Sequence, residues 1–166
     1  MPTCFIGLGG NLGDTFAVFQ KAINLLQKTP HIFNLKGSRL FKTSAVSPLA
    51  QPAYLNAVCC FESTLEPEKL FERLEEIETL CGKTPKSKEA PRVIDLDLLF
   101  YGSKIIFTPG LIVPHPLWHT RLFVLRPLAD LAETLHFCTP LNIQKMVSLF
   151  PNHHNEIVIP INKRLL

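Results

Sequence analysis

The sequence has few features of an exported protein, of a protein stabilised by a structural metal ion or of a membrane protein. Its five cysteines are odd in number, form no CxxC pair and follow no metal-ligand spacing, which argues against a complete disulfide framework. The first residues lack the basic start and long apolar core of a signal peptide, and no apolar run approaches the roughly 18 residues of a membrane span. Basic residues exceed acidic ones by only three, so net charge predicts neither a nucleic-acid partner nor a membrane partner. We therefore expect a cytoplasmic protein.

The composition is typical of one folded domain. A chain of 166 residues is long enough to bury roughly two-thirds of its unfolded surface. Hydrophobic residues make up 46% and charged residues 19%, which argues against intrinsic disorder and against a coiled coil. The 14 prolines are spread along the chain instead of forming one linker. We expect residues 1–166 to form a single domain.

Hydrophobic periodicity predicts strands and helices in alternation over the first hundred residues. A glycine-rich loop leads into a helix that begins at Asp14, an N-cap residue type, and ends before Pro30. The second predicted helix opens with 64–68, ends at Gly82 and buries Leu70, Leu74, Ile77, Leu80 and Phe71. The predicted strands are 3–8, 35–43, 54–61 and 93–101. The resulting β-α-β-β-α-β order is that of a ferredoxin-like α+β sandwich.

C-terminal additions to this sandwich are also expected. The pattern predicts a short strand at 105–106, a proline-rich segment ending at Pro116 and an apolar helix near 121–131. The tail from 133 to 166 has a weaker pattern.

Two acidic residues stand on an otherwise apolar strand. Asp95 and Asp97 are two positions apart, so both carboxylates project from one face while Leu96 projects from the other. Burying both unpaired would cost several kcal/mol each, so they face solvent, basic groups or a hard cation such as Mg²⁺. The alternative interpretation is an edge strand with a solvated acidic face.

A basic loop precedes that strand. Lys83, Lys86, Lys88 and Arg92 place four positive charges in ten residues, with Glu89 as the one acid. Cations beside two carboxylates suit a metal-polyphosphate site, in which the carboxylates hold the metal and the cations bind phosphate oxygens. Taken alone, a lysine-rich run of this kind is usually only a solvated loop, and the neighbouring aspartates are what favour the phosphate-binding interpretation.

Two further segments are less specific. The glycine-rich loop after the first strand lacks both the Walker A ending and the GxGxxG spacing, so we interpret it as a tight strand-to-helix turn. His115 and His119 have a spacing that could bind a metal on a helix, but Pro116 argues against one. His115 between two prolines, with Arg121 downstream, suits a donor to an anion.

Together, four segments resemble 6-hydroxymethyl-7,8-dihydropterin pyrophosphokinases of the folate pathway. The resemblance covers most of residues 3–132 in the family's order. The segments are Gly-Leu-Gly-Gly-Asn-Leu-Gly at 7–13, the stretch 43–56 ending in Gln-Pro-Ala-Tyr-Leu-Asn, Pro-Arg-Val-Ile-Asp-Leu-Asp-Leu-Leu-Phe-Tyr-Gly at 91–102, and the Val-Pro-His-Pro block from 113.

The resemblance implies an activity and a set of site residues. The activity is transfer of the terminal diphosphate of ATP to the hydroxymethyl group of the reduced pterin, leaving AMP, with two Mg²⁺ ions held by Asp95 and Asp97. The implied catalytic residues are Arg92, Asp95, Asp97 and Lys83. The implied pterin-binding residues are Thr43, Tyr54, Asn56 and Phe123. The implied nucleotide-binding residues are Glu78, His115, Arg121, Lys86 and Lys88.

The sequence also departs from the family pattern. The loop 82–91 is one residue shorter than is common, begins with Lys83 where arginine is usual, and lacks the usual tryptophan. These changes bear on rate and nucleotide affinity more than on fold. A degenerate member that binds pterin or nucleotide without turnover is one alternative.

An RNA-recognition domain of the same strand order is another alternative, but the sequence lacks its basic-aromatic strand motif. We therefore expect ATP and the pterin as partners, with no nucleic acid or membrane. The chain could also belong to a larger folate-pathway polypeptide, because the family includes such fusions.

Overall fold

An antiparallel sheet with helices on both faces forms the body of the protein. The computed structural model describes residues 1–44, 52–85, 90–131, 143–150 and 157–166. The strands are β1 (Thr3–Gly10), β2 (Ile32–Gly37), β3 (Arg39–Thr43), β4 (Tyr54–Ser63), β5 (Asp95–Tyr101), β6 (Ile106–Phe107), β7 (Ile112–Val113) and β8 (Val158–Arg164). The helices are α1 (Thr15–Gln27), α2 (Pro67–Leu80), α3 (Leu122–Asp130) and α4 (Ile143–Ser148), with a 3₁₀ turn at Trp118–Thr120. None of the helices in these ranges is long and apolar enough to cross a membrane.

The sheet has the ferredoxin-like strand arrangement, as the sequence predicts. Its order is β5-β1-β4-β3-β8, with β2 also paired to β4, and every pairing is antiparallel. The short strands β6 and β7 form a separate hairpin between β5 and the proline-rich segment. The tail, whose pattern is weak, contributes β8 to the main sheet.

The first helix forms where its signals predict. The Asp14 carboxylate accepts a hydrogen bond from the Ala17 amide at 3.1 Å, which caps the free N–H groups of the first turn. Gly13 adopts φ +72°, a conformation that glycine reaches without strain, and so permits the turn into the helix. Phe19, Ile23 and Leu26 recur at helical spacing and are fully or almost fully buried.

One prediction about the second helix is wrong. Leu70, Leu74 and Ile77 are buried, but Leu80 is 53% exposed. Helical rotation places Cys81 toward the core at the end of α2, where it is buried. Leu80 therefore does not belong to the buried stripe.

The predicted strand at 35–43 is also wrong as one element. The chain forms two strands interrupted at Ser38, which is fully buried. The Ser38 amide donates to the Val58 carbonyl at 2.9 Å, and its hydroxyl accepts from the Val58 amide at 3.0 Å. A side-chain oxygen thus replaces a backbone acceptor of the ladder, which breaks the strand while keeping the backbone of Val58 bonded.

The two faces of the sheet have different roles. The larger core lies under α1 and α2 and includes Ile6, Leu96 and Leu98. A second apolar cluster on the opposite face packs Phe5, Val58 and Leu99 against α3. Asp95 and Asp97 alternate with Leu96 and Leu98 along β5, so their carboxylates lie on the α3 side, as the spacing predicts. We call this α3 side of the sheet the site face.

Candidate functional site

A cavity of about 860 Å³ lies on the site face. Its floor is the glycine-containing end of β1, flanked by β4 and β5, and α3 forms part of its wall. Residues singled out from the sequence that line it are Thr43, Tyr54, Asn56, Lys83, Arg92, Asp95, Asp97, His115, Arg121 and Phe123. The fold thus brings residues as far apart in sequence as Thr43 and Phe123 to one surface. Lys86 and Lys88 lie outside the described residues.

Glu78 occupies a neighbouring position. It lines an adjacent pocket of about 400 Å³, which shares Lys83, Arg92 and Asp95 with the cavity. Glu78 is only 8% exposed, and its carboxylate accepts from Lys83 Nζ at 2.7 Å and from the Leu96 amide at 2.6 Å. Burial raises the pKa of this carboxyl, although both hydrogen bonds act to lower it. Glu78 therefore holds the backbone of β5 at Leu96, the residue between Asp95 and Asp97.

Asp95 is the centre of an ion-pair network. Lys83 Nζ lies 2.8 Å from Oδ1 and Arg92 Nη1 lies 2.6 Å from Oδ2. Burial alone would raise the pKa of Asp95, but the hydrogen bonds from these two cations outweigh burial and lower it. The carboxylate is therefore ionised at neutral pH. The two cations that pair with it, Lys83 and Arg92, also line the cavity.

Asp97 is more open than Asp95. Its side chain is 44% exposed, and Arg121 Nη1 lies 3.8 Å from its Oδ2. The strand β5 is at one end of the described sheet, so the edge-strand interpretation is correct about position. The carboxylates line a cavity, however, and Asp95 is paired, so the acidic face is not simply solvated.

His115 has a defined donor atom. The Leu117 amide donates to Nδ1 at 3.1 Å, so Nδ1 is an acceptor and the neutral ring carries its proton on Nε2. Burial lowers the pKa of His115, while Asp97 acts to raise it and Arg121 to lower it further. A neutral ring can therefore donate one hydrogen bond from Nε2 to an anion.

The other end of the cavity has aromatic and amide groups. Tyr54 and Phe123 both line it, and the Arg121 guanidinium lies 5.6 Å from the centre of the Phe123 ring. Asn56 Nδ2 donates to Thr43 Oγ1 at 2.8 Å, which leaves Asn56 Oδ1 as the acceptor on the side of Gly9. A Cβ at Gly9 would lie 3.2 Å from that oxygen, so glycine keeps space open there. These groups suit a flat, hydrogen-bonding heterocycle.

Sequence reasoning missed Asn11. This residue is almost fully buried, and its Oδ1 accepts from the Arg92 amide at 2.8 Å while its own backbone amide donates to the Arg92 carbonyl at 2.9 Å. Its Nδ2 also donates to the Pro52 carbonyl at 3.2 Å. Asn11 therefore holds the segments that lead into β4 and β5. An amide inside a glycine-rich loop is the only sequence signal for this role.

The carboxylates that line the cavity suit one mode of metal binding. Among the described residues, no three or more His, Cys, Asp or Glu side chains group closely enough to hold a metal ion by themselves. Mg²⁺ commonly uses one or two carboxylates together with substrate phosphates and water. Asp95 and Asp97 fit that mode of binding.

Fold and site together define a ferredoxin-like α+β protein whose cavity joins an aromatic and amide end to a carboxylate and cation end. The family model for 7,8-dihydro-6-hydroxymethylpterin-pyrophosphokinase (HPPK) matches residues 5–133. The chain belongs to this family.

Named relatives agree with the family match. The chain is 33% identical to the 2-amino-4-hydroxy-6-hydroxymethyldihydropteridine pyrophosphokinase of Haemophilus influenzae, over 92% of this chain and 96% of that protein. It is 38% identical to the folic acid synthesis protein fol1 of Pneumocystis carinii, over 94% of this chain but 21% of that protein. This chain therefore spans about a fifth of the fol1 length.

A solved structure supports the fold. The crystal structure of wild-type HPPK-DHPS from Plasmodium falciparum matches 89% of this chain and 44% of that chain, with a TM-score of 0.68 at 14% identity. At this identity the likeness is one of fold, and it confirms the ferredoxin-like sandwich.

Proposed function

We propose that this chain transfers the terminal diphosphate of ATP to the hydroxymethyl group of 6-hydroxymethyl-7,8-dihydropterin, giving AMP and the pterin diphosphate. Pyrophosphokinase activity in folate biosynthesis, with ATP as co-substrate, follows from family membership. The observation that carries the assignment to this cavity is that one surface joins an aromatic and amide end to a carboxylate and cation end.

The pterin is assigned to the end formed by Tyr54, Asn56 and Phe123. Aromatic side chains bind a flat ring through their faces, and stacked or edge contacts add about 0.5–1.5 kcal/mol beyond burial. The orientation of the Asn56 amide leaves Oδ1 to accept from an N–H of the pterin edge. In the proposed binding mode the hydroxymethyl group points toward β5, which carries the proposed metal ligands.

The phosphates of ATP are assigned to the other end. Lys83, Arg92 and Arg121 supply positive charge, and His115 supplies a neutral donor at Nε2. When phosphate oxygens arrive, they compete with Asp95 for Lys83 and Arg92, because both cations border the same cavity. Arg92 is better suited than Lys83 to align the group, since its planar fork binds phosphate oxygens in pairs.

Two Mg²⁺ ions are proposed as part of the bound nucleotide complex, with Asp95 and Asp97 as their protein ligands. When bound, the metal offsets charge on the transferring group. The openness of Asp97 and the lowered pKa of Asp95 both favour this role.

Alignment and charge neutralisation account for the chemistry. The substrate hydroxyl attacks the β-phosphorus and loses its proton to solvent, so that a new O–P bond forms. The bond from the β-phosphorus to the oxygen that bridges it to the α-phosphorus breaks, and that oxygen leaves as part of AMP. The cavity needs to hold the hydroxyl in line with that bond. No covalent intermediate on the protein is required.

We also propose that residues 1–166 form one pyrophosphokinase domain in the cytoplasm. The pairing of β8 with β3 supports a single domain, because it incorporates the tail into the sheet. The buried thiols of Cys4, Cys59, Cys60 and Cys81 are compatible with a reducing compartment. A larger folate polypeptide containing this domain has parallels in the bifunctional protein FolKE of Lactococcus lactis and in HPPK-DHPS.

The direct test is an incubation with ATP, Mg²⁺ and the reduced pterin alcohol, with products separated by chromatography. We expect one AMP for each pterin consumed and no reaction without the pterin. ADP as the product, or pterin binding without turnover, would contradict the proposal, the latter in favour of a degenerate binding domain.

A further inference from the structure

The beginning of β8 supports one wall of the cavity. The Ser44 amide donates to the Ile157 carbonyl at 3.1 Å, and the Ile157 amide donates to Ser44 Oγ at 3.1 Å. Thr43 lies opposite Val158 in the register of β3 and β8. Because Thr43 and Ser44 both line the cavity, the C-terminal strand holds two residues of its wall.

The register leaves the Val158 carbonyl facing away from β3. Hydrogen-bonded and non-hydrogen-bonded residue pairs alternate along an antiparallel ladder. Since Ser44 and Ile157 are bonded, Thr43 and Val158 form a non-hydrogen-bonded pair. Arg126 Nη1 donates to the outward Val158 carbonyl at 2.8 Å. The guanidinium thus satisfies a backbone acceptor on a residue that is only 4% exposed.

Arg126 shares α3 with Phe123. The two residues are three positions apart and so lie on neighbouring parts of the same helix side. Phe123 lines the cavity, whereas Arg126 reaches to β8. Val158 also packs in an apolar cluster with Phe41 and Leu122, and Phe123 contacts that cluster. One helix therefore carries the aromatic wall and the bond that anchors the neighbouring wall.

We propose that Arg126 is a positioning residue for the pterin. By binding the Val158 carbonyl it fixes β8, and through β8 it fixes Thr43 and Ser44 relative to Phe123. Thr43 Oγ1 in turn orients the Asn56 amide, so a shift of Thr43 alters the group assigned to the pterin edge. This inference rests on the proposed function, because it assumes that the pterin occupies this end.

The coupling is specific to one substrate. Two strands, β1 and β4, separate β5 from the β3–β8 pair in the sheet order. Of the groups assigned to phosphate, Asp95 and Asp97 belong to β5 and Lys83 lies in the loop that follows α2. A disturbance at β8 should therefore change pterin affinity more than ATP affinity.

The test compares Arg126→Leu and Arg126→Lys with Lys163→Ala, a change at an exposed residue near the other end of β8. Calorimetry measures affinity for the pterin and, separately, for a non-hydrolysable ATP analogue with Mg²⁺. We expect Arg126→Leu to weaken pterin binding roughly tenfold while analogue binding changes less than about twofold. Arg126→Lys should recover part of the loss, because an ammonium group can donate to the same carbonyl. Lys163→Ala should match the parent protein.

Hydrogen exchange supplies a readout that does not depend on turnover. Exchange at the amides of Ser44 and Ile157 should be faster in Arg126→Leu and close to the parent rate in Lys163→Ala. Unchanged pterin affinity in folded Arg126→Leu, or equal loss of pterin and analogue affinity, would overturn the inference. If Arg126→Leu does not fold, Arg126→Lys decides by the same comparisons. Failure of the parent protein to bind pterin would contradict the proposed function instead, and exchange would still test the coupling of Arg126 to Ser44.

Discussion

The two aspartates of β5 should respond differently to the same substitution. Asp97 is 44% exposed and its cationic neighbour Arg121 lies 3.8 Å away, so Asp97→Asn should change the free energy of unfolding by less than about 0.5 kcal/mol. Asp95 is 22% exposed and accepts from Lys83 at 2.8 Å and Arg92 at 2.6 Å. Asp95→Asn should destabilise the protein by roughly 1–3 kcal/mol, because two cations lose a charged acceptor.

Asp95→Asn and Asp97→Asn should differ in stability but should both lose turnover. Both variants remove a proposed Mg²⁺ ligand, so each should lose at least about a hundredfold in kcat. The assays are urea unfolding without nucleotide and steady-state AMP release at several Mg²⁺ concentrations, with a chelator abolishing activity in the parent. A folded Asp97→Asn protein with parental turnover would refute the metal assignment. An Asp97→Asn protein that loses as much stability as Asp95→Asn would refute the structural reasoning.

Three further predictions concern the aromatic wall, the loop cations and an ion pair outside the cavity. Phe123→Ala should weaken pterin binding by about 1 kcal/mol or more while ATP binding is retained; unchanged pterin affinity by calorimetry in a folded variant would end the stacking assignment. Arg92→Ala should reduce kcat more than Lys83→Ala, because a planar fork aligns phosphate better than a point charge; equal kinetics of both variants and the parent would show that the loop only connects α2 to β5. Burial alone would raise the pKa of Asp130, but hydrogen bonds from Arg39 outweigh it and lower the pKa below its ordinary 3.8. The stability from this pair is therefore complete above that pH and is lost as pH falls through the lowered pKa. The unfolding free energies of the parent and Asp130→Asn should differ by a constant amount above about pH 5 and converge as pH falls below 3.8, and a difference that stays constant below pH 3.8 would contradict this.

Local signals account for the elements that the sequence predicts correctly. Asp14 caps α1 and the alternation of Asp95 and Asp97 with Leu96 fixes the faces of β5, and each depends on neighbouring residues alone. The break at Ser38 depends on Val58, a residue twenty positions away whose backbone bonds the serine hydroxyl. The prediction that Leu80 is buried is wrong because α2 ends at this residue, and the side chain of Cys81 packs toward the core instead.

In the candidate site, too, the sequence predicts what depends on neighbouring residues and misses what depends on distant ones. The basic loop and the aspartates are close in sequence, so much of the carboxylate and cation end of the cavity can be inferred from one segment. The hydrogen bond between Asn56 and Thr43 depends on the register of β3 and β4, in which Thr43 lies opposite Tyr54. The support of that wall by β8 joins residues more than a hundred positions apart, and no periodicity in the tail reveals it. Resemblance to the family identified the wall residues, whereas only the structure shows how they are held.

In the proposed reaction a diphosphate, transferred as one unit, passes from ATP to the pterin. ATP labelled at the β-phosphorus tests this most directly, in a reaction with Mg²⁺ and the reduced pterin alcohol. We expect the label to appear in a pterin diphosphate while unlabelled AMP accumulates in equal amount, and we expect Asp97→Asn nearly to abolish both products. Label recovered in ADP or in inorganic phosphate, with no labelled pterin, would contradict it.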